Sequence, residues 1–173
     1  MKMSFGLAAL VGAVVLVGCG QQMSPVSPAP LSGGTSSVGS GASQAVPFQG
    51  QMEGTQSVTP GAPPLATVIG QATGTATLLG RFTLEFPHTV NFSTSSAVGT
   101  YTFTAGNGDM LTASFTGSAE LGPVVHIVEN AVITGGTGRF AGATGSFIAR
   151  REFTQATGGV TGSFEGTIST PGQ

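Results

Sequence analysis

Residues 100–116 read Thr-Tyr-Thr-Phe-Thr-Ala-Gly-Asn-Gly-Asp-Met-Leu-Thr-Ala-Ser-Phe-Thr, and this stretch decides the fold. Tyr101, Phe103 and Ala105 alternate with Thr100, Thr102 and Thr104. After Gly106-Asn107-Gly108-Asp109, Leu111, Ala113 and Phe115 alternate with Thr112, Ser114 and Thr116. Successive side chains of an extended chain point to opposite faces, so each run carries one apolar face and one hydroxyl face. The Asn-Gly pair between them supplies the positive φ of a tight hairpin turn. The stretch therefore reads as two antiparallel strands with one greasy side.

The same period of two extends in both directions. Phe82, Leu84 and Phe86 alternate with Arg81, Thr83 and Glu85. Phe147, Ala149, Arg151 and Phe153 alternate with Ile148, Arg150, Glu152 and Thr154. Phe164 and Ile168 alternate with Ser163, Glu165 and Thr167. Turn signals at Leu121-Gly122-Pro123 and Gly158-Gly159 separate these runs. Eight strands are predicted, near 47–57, 67–76, 80–92, 98–105, 110–120, 123–134, 144–155 and 159–169. Short strands joined by close turns argue for an all-β antiparallel barrel or sandwich. Strand-interior glycines (Gly117, Gly145, Gly162, Gly166) suit the sharp bends of a sheet closing on itself. Closure also removes edges that a chain with few charges cannot guard. The expectation is a closed antiparallel β-barrel of about eight strands, with a β-sandwich as the alternative.

Composition narrows the function classes. Charged residues make up 7% of the chain, against about 25% in ordinary globular proteins. No basic cluster exceeds Arg150-Arg151, so nucleic acid is not an expected partner. His88 and His126 stand far apart, with no Cys, Asp or Glu at ligand spacing, so no metal and no cofactor is expected. No Gly-x-Ser-x-Gly elbow is present. Gly136-x-Gly138-x-x-Ala141 formally matches a dinucleotide fingerprint. Gly142 and Gly145 interrupt the helix that such a fingerprint must open, and a strand follows at once. The string reads as a tight turn with one helical turn at 138–141, tucking Phe140 against a barrel end.

The N-terminus carries its own signal. Lys2 precedes an apolar run from Phe5 to Val17, too short to span a bilayer, which needs about 20 residues. It ends in Leu16-Val17-Gly18-Cys19, which holds the one cysteine of the chain and resembles the lipobox of bacterial lipoproteins. That resemblance implies cleavage before Cys19, lipidation of its thiol, and membrane anchoring. Gly20 after the cysteine implies, by family analogy, the outer membrane of a two-membrane cell envelope. The expected organisation is a signal peptide at 1–18, then a lipidated Cys19 and disordered Ser/Pro/Gly tether at 19–45. A β-barrel domain at 46–170 and a tail at 171–173 follow.

The string Gly135-Gly136-Thr137-Gly138-Arg139-Phe140, followed by a small-residue turn and a glycine-rich strand, resembles the allene oxide cyclase and dirigent-like barrel superfamily. The resemblance covers residues from about 47 to 170. It implies an eight-stranded barrel, a homo-oligomer (commonly a trimer), and an apolar cavity for a small hydrophobic molecule. The plant catalytic residues have no counterparts that can be placed on this chain.

Arg151 is the sharpest oddity in the pattern, because it shares a face with Phe147, Ala149 and Phe153. A buried arginine needs a partner. Glu129, alternating with Ile127, Ala131 and Ile133, is the first candidate, and Tyr101 can join by hydrogen bond. Arg151, Glu129, Tyr101, Phe103 and Phe147 are therefore the candidate ligand-binding residues. A purely structural ion pair, or an arginine reaching past the rim to water, is the plainer reading of the same pattern. Phe82, Phe86, Phe103, Phe115, Phe147, Phe153 and Phe164 are expected to line or fill the interior. The expected function is a membrane-anchored envelope lipoprotein whose barrel binds a small apolar ligand, with no identified catalysis. The alternatives are a cyclase- or dirigent-like enzyme acting on a hydrophobic molecule, and a purely structural envelope protein.

Overall fold

The computed structural model describes residues 44–171. The expected signal peptide, Cys19, residues 20–43 of the tether and the last two residues of the tail lie outside the described residues. Alternation over residues 46–169 produces β1 (Val46–Pro60), β2 (Leu65–Ala76), β3 (Gly80–Glu85), β4 (His88–Asn91), β5 (Ser96–Ala105), β6 (Met110–Glu120), β7 (Val124–Gly136), β8 (Thr144–Thr154) and β9 (Gly159–Ser169). A single turn of 3-10 helix, Gly138–Phe140, is the one helical element among the described residues.

All neighbours pair antiparallel in the order β1-β9-β8-β7-β6-β5-β3-β2, and β1 pairs back onto β2. That last pairing closes the sheet, so the fold is a barrel and the sandwich alternative is excluded. The segment expected as one strand over 80–92 is broken in two. Pro87 has no N–H to give the ladder, so pairing lapses there. Both pieces bridge the same neighbours, β2 and β5, and together form one stave of an eight-staved wall. A bulge between β6 and β7 shifts the register between Thr112 and Ala113, where Gly135 has φ +133°. Such an extra residue sharpens the bend.

The inward series is the apolar series of the sequence. Phe82, Leu84, Phe86, Tyr101, Phe103, Leu111, Ala113, Phe115, Phe147, Ala149 and Phe164 are all buried. Phe153 is only half-buried. Phe48, at the start of β1, joins them fully buried. Bulky inward side chains sit opposite glycines on the next strand. Gly50 faces Phe164, Gly74 faces Phe82, and Gly166 faces both Phe48 and Phe147. A Cβ on Gly166 would lie 2.1 Å from the Ser146 carbonyl oxygen and 2.5 Å from Phe147 Cα. The narrow bore is therefore filled by pairing large with absent side chains.

The two ends differ. One end receives Val46 and Ser169 and the connections 77–79, 106–109 and 137–143. Phe48, Phe82, Phe103, Phe147 and Phe164 pack there with ring centroids 5.0–6.1 Å apart. Leu79 and Phe140 are buried in the connections at this end. The glycine-rich string thus makes a turn with one helical turn and a buried Phe140. The other end, formed by the connections 61–64, 92–95, 121–123 and 155–158, is open.

Candidate functional site

The open end holds a cup of about 410 Å³. Its wall comes from positions near the ends of seven staves, including Val68, Val90, Ala97, Ala119, Val125 and Phe153. Its floor is polar: Gln56, His88, Glu129 and Arg151. Concavities of about 890 and 1040 Å³ also run along the outer wall among Thr, Gln and Gly, and contain none of these buried polar groups.

Arg151 and Glu129 form an ion pair whose side chains are both 0% exposed. Arg151 Nε donates to Glu129 Oε2 at 2.9 Å and Nη2 donates to Oε1 at 2.5 Å. Nη1 donates to Gln56 Oε1 at 3.1 Å. The Tyr101 hydroxyl donates to Glu129 Oε2, and the guanidinium lies over the Phe86 ring, 4.7 Å from its centroid. Desolvating two charges costs several kcal/mol each, so such a pair persists only with a two-pronged geometry and further partners, as here. Burial pushes the Arg151 pKa down. The hydrogen bonds to Glu129 and the Glu129 charge outweigh it, so the net movement is upward and the guanidinium stays charged. Tyr101 is raised well above its ordinary value, first by burial and then by the Glu129 charge, so its proton stays on.

Glycines make room for the pair. Gly117 lies opposite Glu129 and Gly162 opposite Arg151. A Cβ at Gly117 would sit 2.6 Å from Glu129 Cγ, and one at Gly162 would sit 2.9 Å from Arg151 Cγ. The triplets Thr116-Gly117-Ser118 and Thr161-Gly162-Ser163 are therefore the recesses that admit these side chains.

His88 completes the floor. Its Nδ1 lies 2.9 Å from the Phe86 carbonyl oxygen, which can only accept, so the neutral ring carries its proton there. Burial holds the His88 pKa below its ordinary 6.5; the Phe86 bond opposes this, and the Arg151 charge adds to it. Nε2 is thus a bare acceptor. It makes no hydrogen bond, and no buried side-chain nitrogen or oxygen among the described residues lacks a partner, so Nε2 opens onto the cup that His88 lines. The ring is stacked near Phe86 and edge-on to Phe115.

The structure brings together Arg151, Glu129 and Tyr101, but only the first two line the cup. Tyr101 is sealed beneath Glu129. Phe103 and Phe147 lie in the filled half, touching Tyr101 at centroid distances of 5.8 and 5.7 Å, and do not line the cup. Cys19 lies outside the described residues. His88 and Gln56 are floor residues that the sequence reading passed over. The signal for His88 was available: the inward series 82, 84, 86 continues with 88 across Pro87. His126 points outward, 3.4 Å from Glu152. Glu53, Glu85 and Glu165 are exposed. Among the described residues, no three His, Cys, Asp or Glu side chains converge to hold a metal ion.

No protein-family model matches the sequence, and no curated protein matches it. Among solved structures the barrel is similar to two pterocarpan synthase dirigent proteins. GePTS1 is 15% identical with a TM-score of 0.55, over 75% of this chain and 87% of that one. PsPTS1 is 14% identical with a TM-score of 0.56, over 75% of this chain and 97% of that one. At that identity the likeness is one of architecture: the chain has a dirigent-like, closed antiparallel β-barrel of eight staves.

Proposed function

We propose that the protein is a lipid-anchored envelope lipoprotein whose barrel binds a small apolar molecule in the open cup. The observation that carries this reading is the hollow of about 410 Å³ with aliphatic walls and a floor of Arg151, Glu129 and His88. Small-ligand sites are built this way, with apolar surface for affinity and a few fixed polar groups for orientation. The guanidinium is already engaged by Glu129 and Gln56, so the floor offers a ligand chiefly the His88 acceptor. An apolar molecule with one hydrogen-bond donor fits it. Tyr101 acts through Glu129, and Phe103 and Phe147 act as the packing beneath it. The dirigent likeness supports the barrel and its apolar interior; pterocarpan synthesis belongs to the neighbours.

Anchoring rests on Leu16-Val17-Gly18-Cys19 and its lipobox resemblance. Several acyl chains hold a protein where one holds it marginally, at about 0.8 kcal/mol per buried CH₂. Gly20 favours the outer membrane in a two-membrane envelope. A homo-oligomer, a trimer by the dirigent resemblance, is the expected assembly.

Mass spectrometry of organic extracts of the purified protein tests the binding reading. One small apolar species is expected from the native chain and none from Val125→Trp, which fills the cup. Extracts that are identical from both proteins would refute it. Incorporation of a clickable fatty acid into the native chain, lost in Cys19→Ser, tests the anchor separately.

A further inference from the structure

The connections of the open end differ from the closed end in charge. Its four connections read Gly61-Ala-Pro-Pro64, Phe92-Ser-Thr-Ser95, Leu121-Gly-Pro123 and Gln155-Ala-Thr-Gly158, with no charged residue in any of them. The closed end carries Arg81, Asp109 and Arg139, the last two paired at 3.6 Å. At the open end Val58, Leu65, Phe92 and Leu121 are exposed, Phe92 by 49% and Leu121 by 55%. Val58, Phe92 and Leu121 also line the cup, so the apolar rim and the apolar hollow are one continuous surface.

The rim is held in place. Phe92 N–H donates to the Pro64 carbonyl at 3.0 Å, and Ala119 N–H donates to Ser95 O at 2.9 Å. Gln155 Nε2 donates to Gly122 O at 2.7 Å, and Gln56 N–H donates to Gly158 O at 3.0 Å. A ring of apolar side chains on cross-bonded loops keeps them facing outward, where nothing in the barrel covers them. Glu120, which precedes Leu121 in the chain, ends β6 outside the loops and pairs in register with His126.

We propose that this rim docks on the bilayer surface, with the mouth of the cup against the lipid, so that an apolar ligand passes between membrane and barrel without crossing water. The proposal rests on the anchored reading above. The apolar faces of peripheral helices bury ~5–10 Å into the headgroup–acyl boundary, with a strength that scales with apolar area, and an apolar rim offers the same kind of surface. Chain length permits the orientation. β1 begins at Val46, at the closed end, and the 26 residues separating it from Cys19 reach at most roughly 90 Å. A stave of 11 residues such as β8 spans only about 36 Å. The leash therefore suffices to turn the open end toward the membrane that holds Cys19.

The chain has no tryptophan, so single reporters can be placed at each end. Phe92→Trp and Asn107→Trp are introduced separately into the full acylated protein. Each is reconstituted into vesicles of phosphatidylethanolamine and phosphatidylglycerol, with or without bromine on the acyl chains. The proposal expects about twofold quenching and a blue shift at position 92, and neither at 107, where the residue lies at the closed end. Equal quenching at both positions, or at neither, in protein that floats with the vesicles would overturn the docking while leaving the anchor standing. Protein that fails to float would overturn the anchor and the docking together. Phe92→Trp with Leu121→Ser and Val58→Ser should lose the quenching and still float; undiminished quenching would also count against the rim.

Discussion

Exchanging Arg151 and Glu129 for methionine, singly and together, tests whether the floor of the cup is as dry as its geometry says. Both side chains are fully buried, and the pair makes two direct bonds. Removing one partner strands a charge in the core, which costs about 3–5 kcal/mol. For a domain of this size, with unfolding entropy near 2.1 cal/mol/K per residue, 4 kcal/mol lowers the Tm by about 15 °C. Replacing both removes the stranded charge and leaves methionines of similar length. The remaining losses are the Tyr101 hydroxyl, deprived of its acceptor, and Gln56, deprived of its donor. An orphaned buried hydroxyl costs about 1–3 kcal/mol. The double variant should therefore be no less stable than either single one, with a coupling energy of about 3 kcal/mol or more. Urea and thermal melts of the four proteins measure the cycle. Losses that simply add, or a Glu129→Met variant that costs under about 1 kcal/mol, would mean that water reaches the pair and that the floor is not sealed.

Other consequences follow from the same geometry. His88 has a folded pKa below 6.5, so as pH falls below that value the unfolded chain takes up the proton first and stability declines. The Tm difference between wild type and His88→Leu should narrow from pH 7.5 to 5; a constant difference would contradict a buried neutral ring. Gly145 sits at φ +142°, and an added Cβ would lie 2.2 Å from the Thr167 carbonyl oxygen. Gly145→Ala should therefore destabilise by about 2–3 kcal/mol in urea melts. Phe147→Ala should cost about 3–5 kcal/mol with little change in uptake of an apolar fluorescent probe. Val125→Trp should do the reverse, and equal effects on uptake would undo the division into filled and open halves.

Much of the barrel was legible because its staves obey a strict period of two. The strands and the inward series of β5, β6, β8 and β9 follow from that alternation, and the strand-interior glycines argued for closure. The ion pair was legible for the same reason, since Arg151 and Glu129 are each charged intruders in an apolar series. Three things were not. The split between β3 and β4 depends on Pro87, which interrupts pairing without changing which face Phe86 and His88 take. The position of the cup was not legible because alternation tells inside from outside but not one end from the other. Phe103 and Phe147 are as inward as Val125, yet they lie in the plug. The height of each residue along the bore is set by stagger, which closes through β1 and β2. Phe48 was missed because Pro47 and the glycines at 50 and 54 blur the period of β1. The same glycines that obscured the strand are the spaces its neighbours fill.

Methyl-resolved NMR of the barrel during titration with a small apolar alcohol addresses the central claim most directly. The account predicts shifts at Val68, Val90, Val125 and Ile127, with Leu111, Ile133 and Ile168 unmoved. Shifts confined to the outer-wall methyls of Val98 and Val132, or spread evenly through both halves of the barrel, would contradict it.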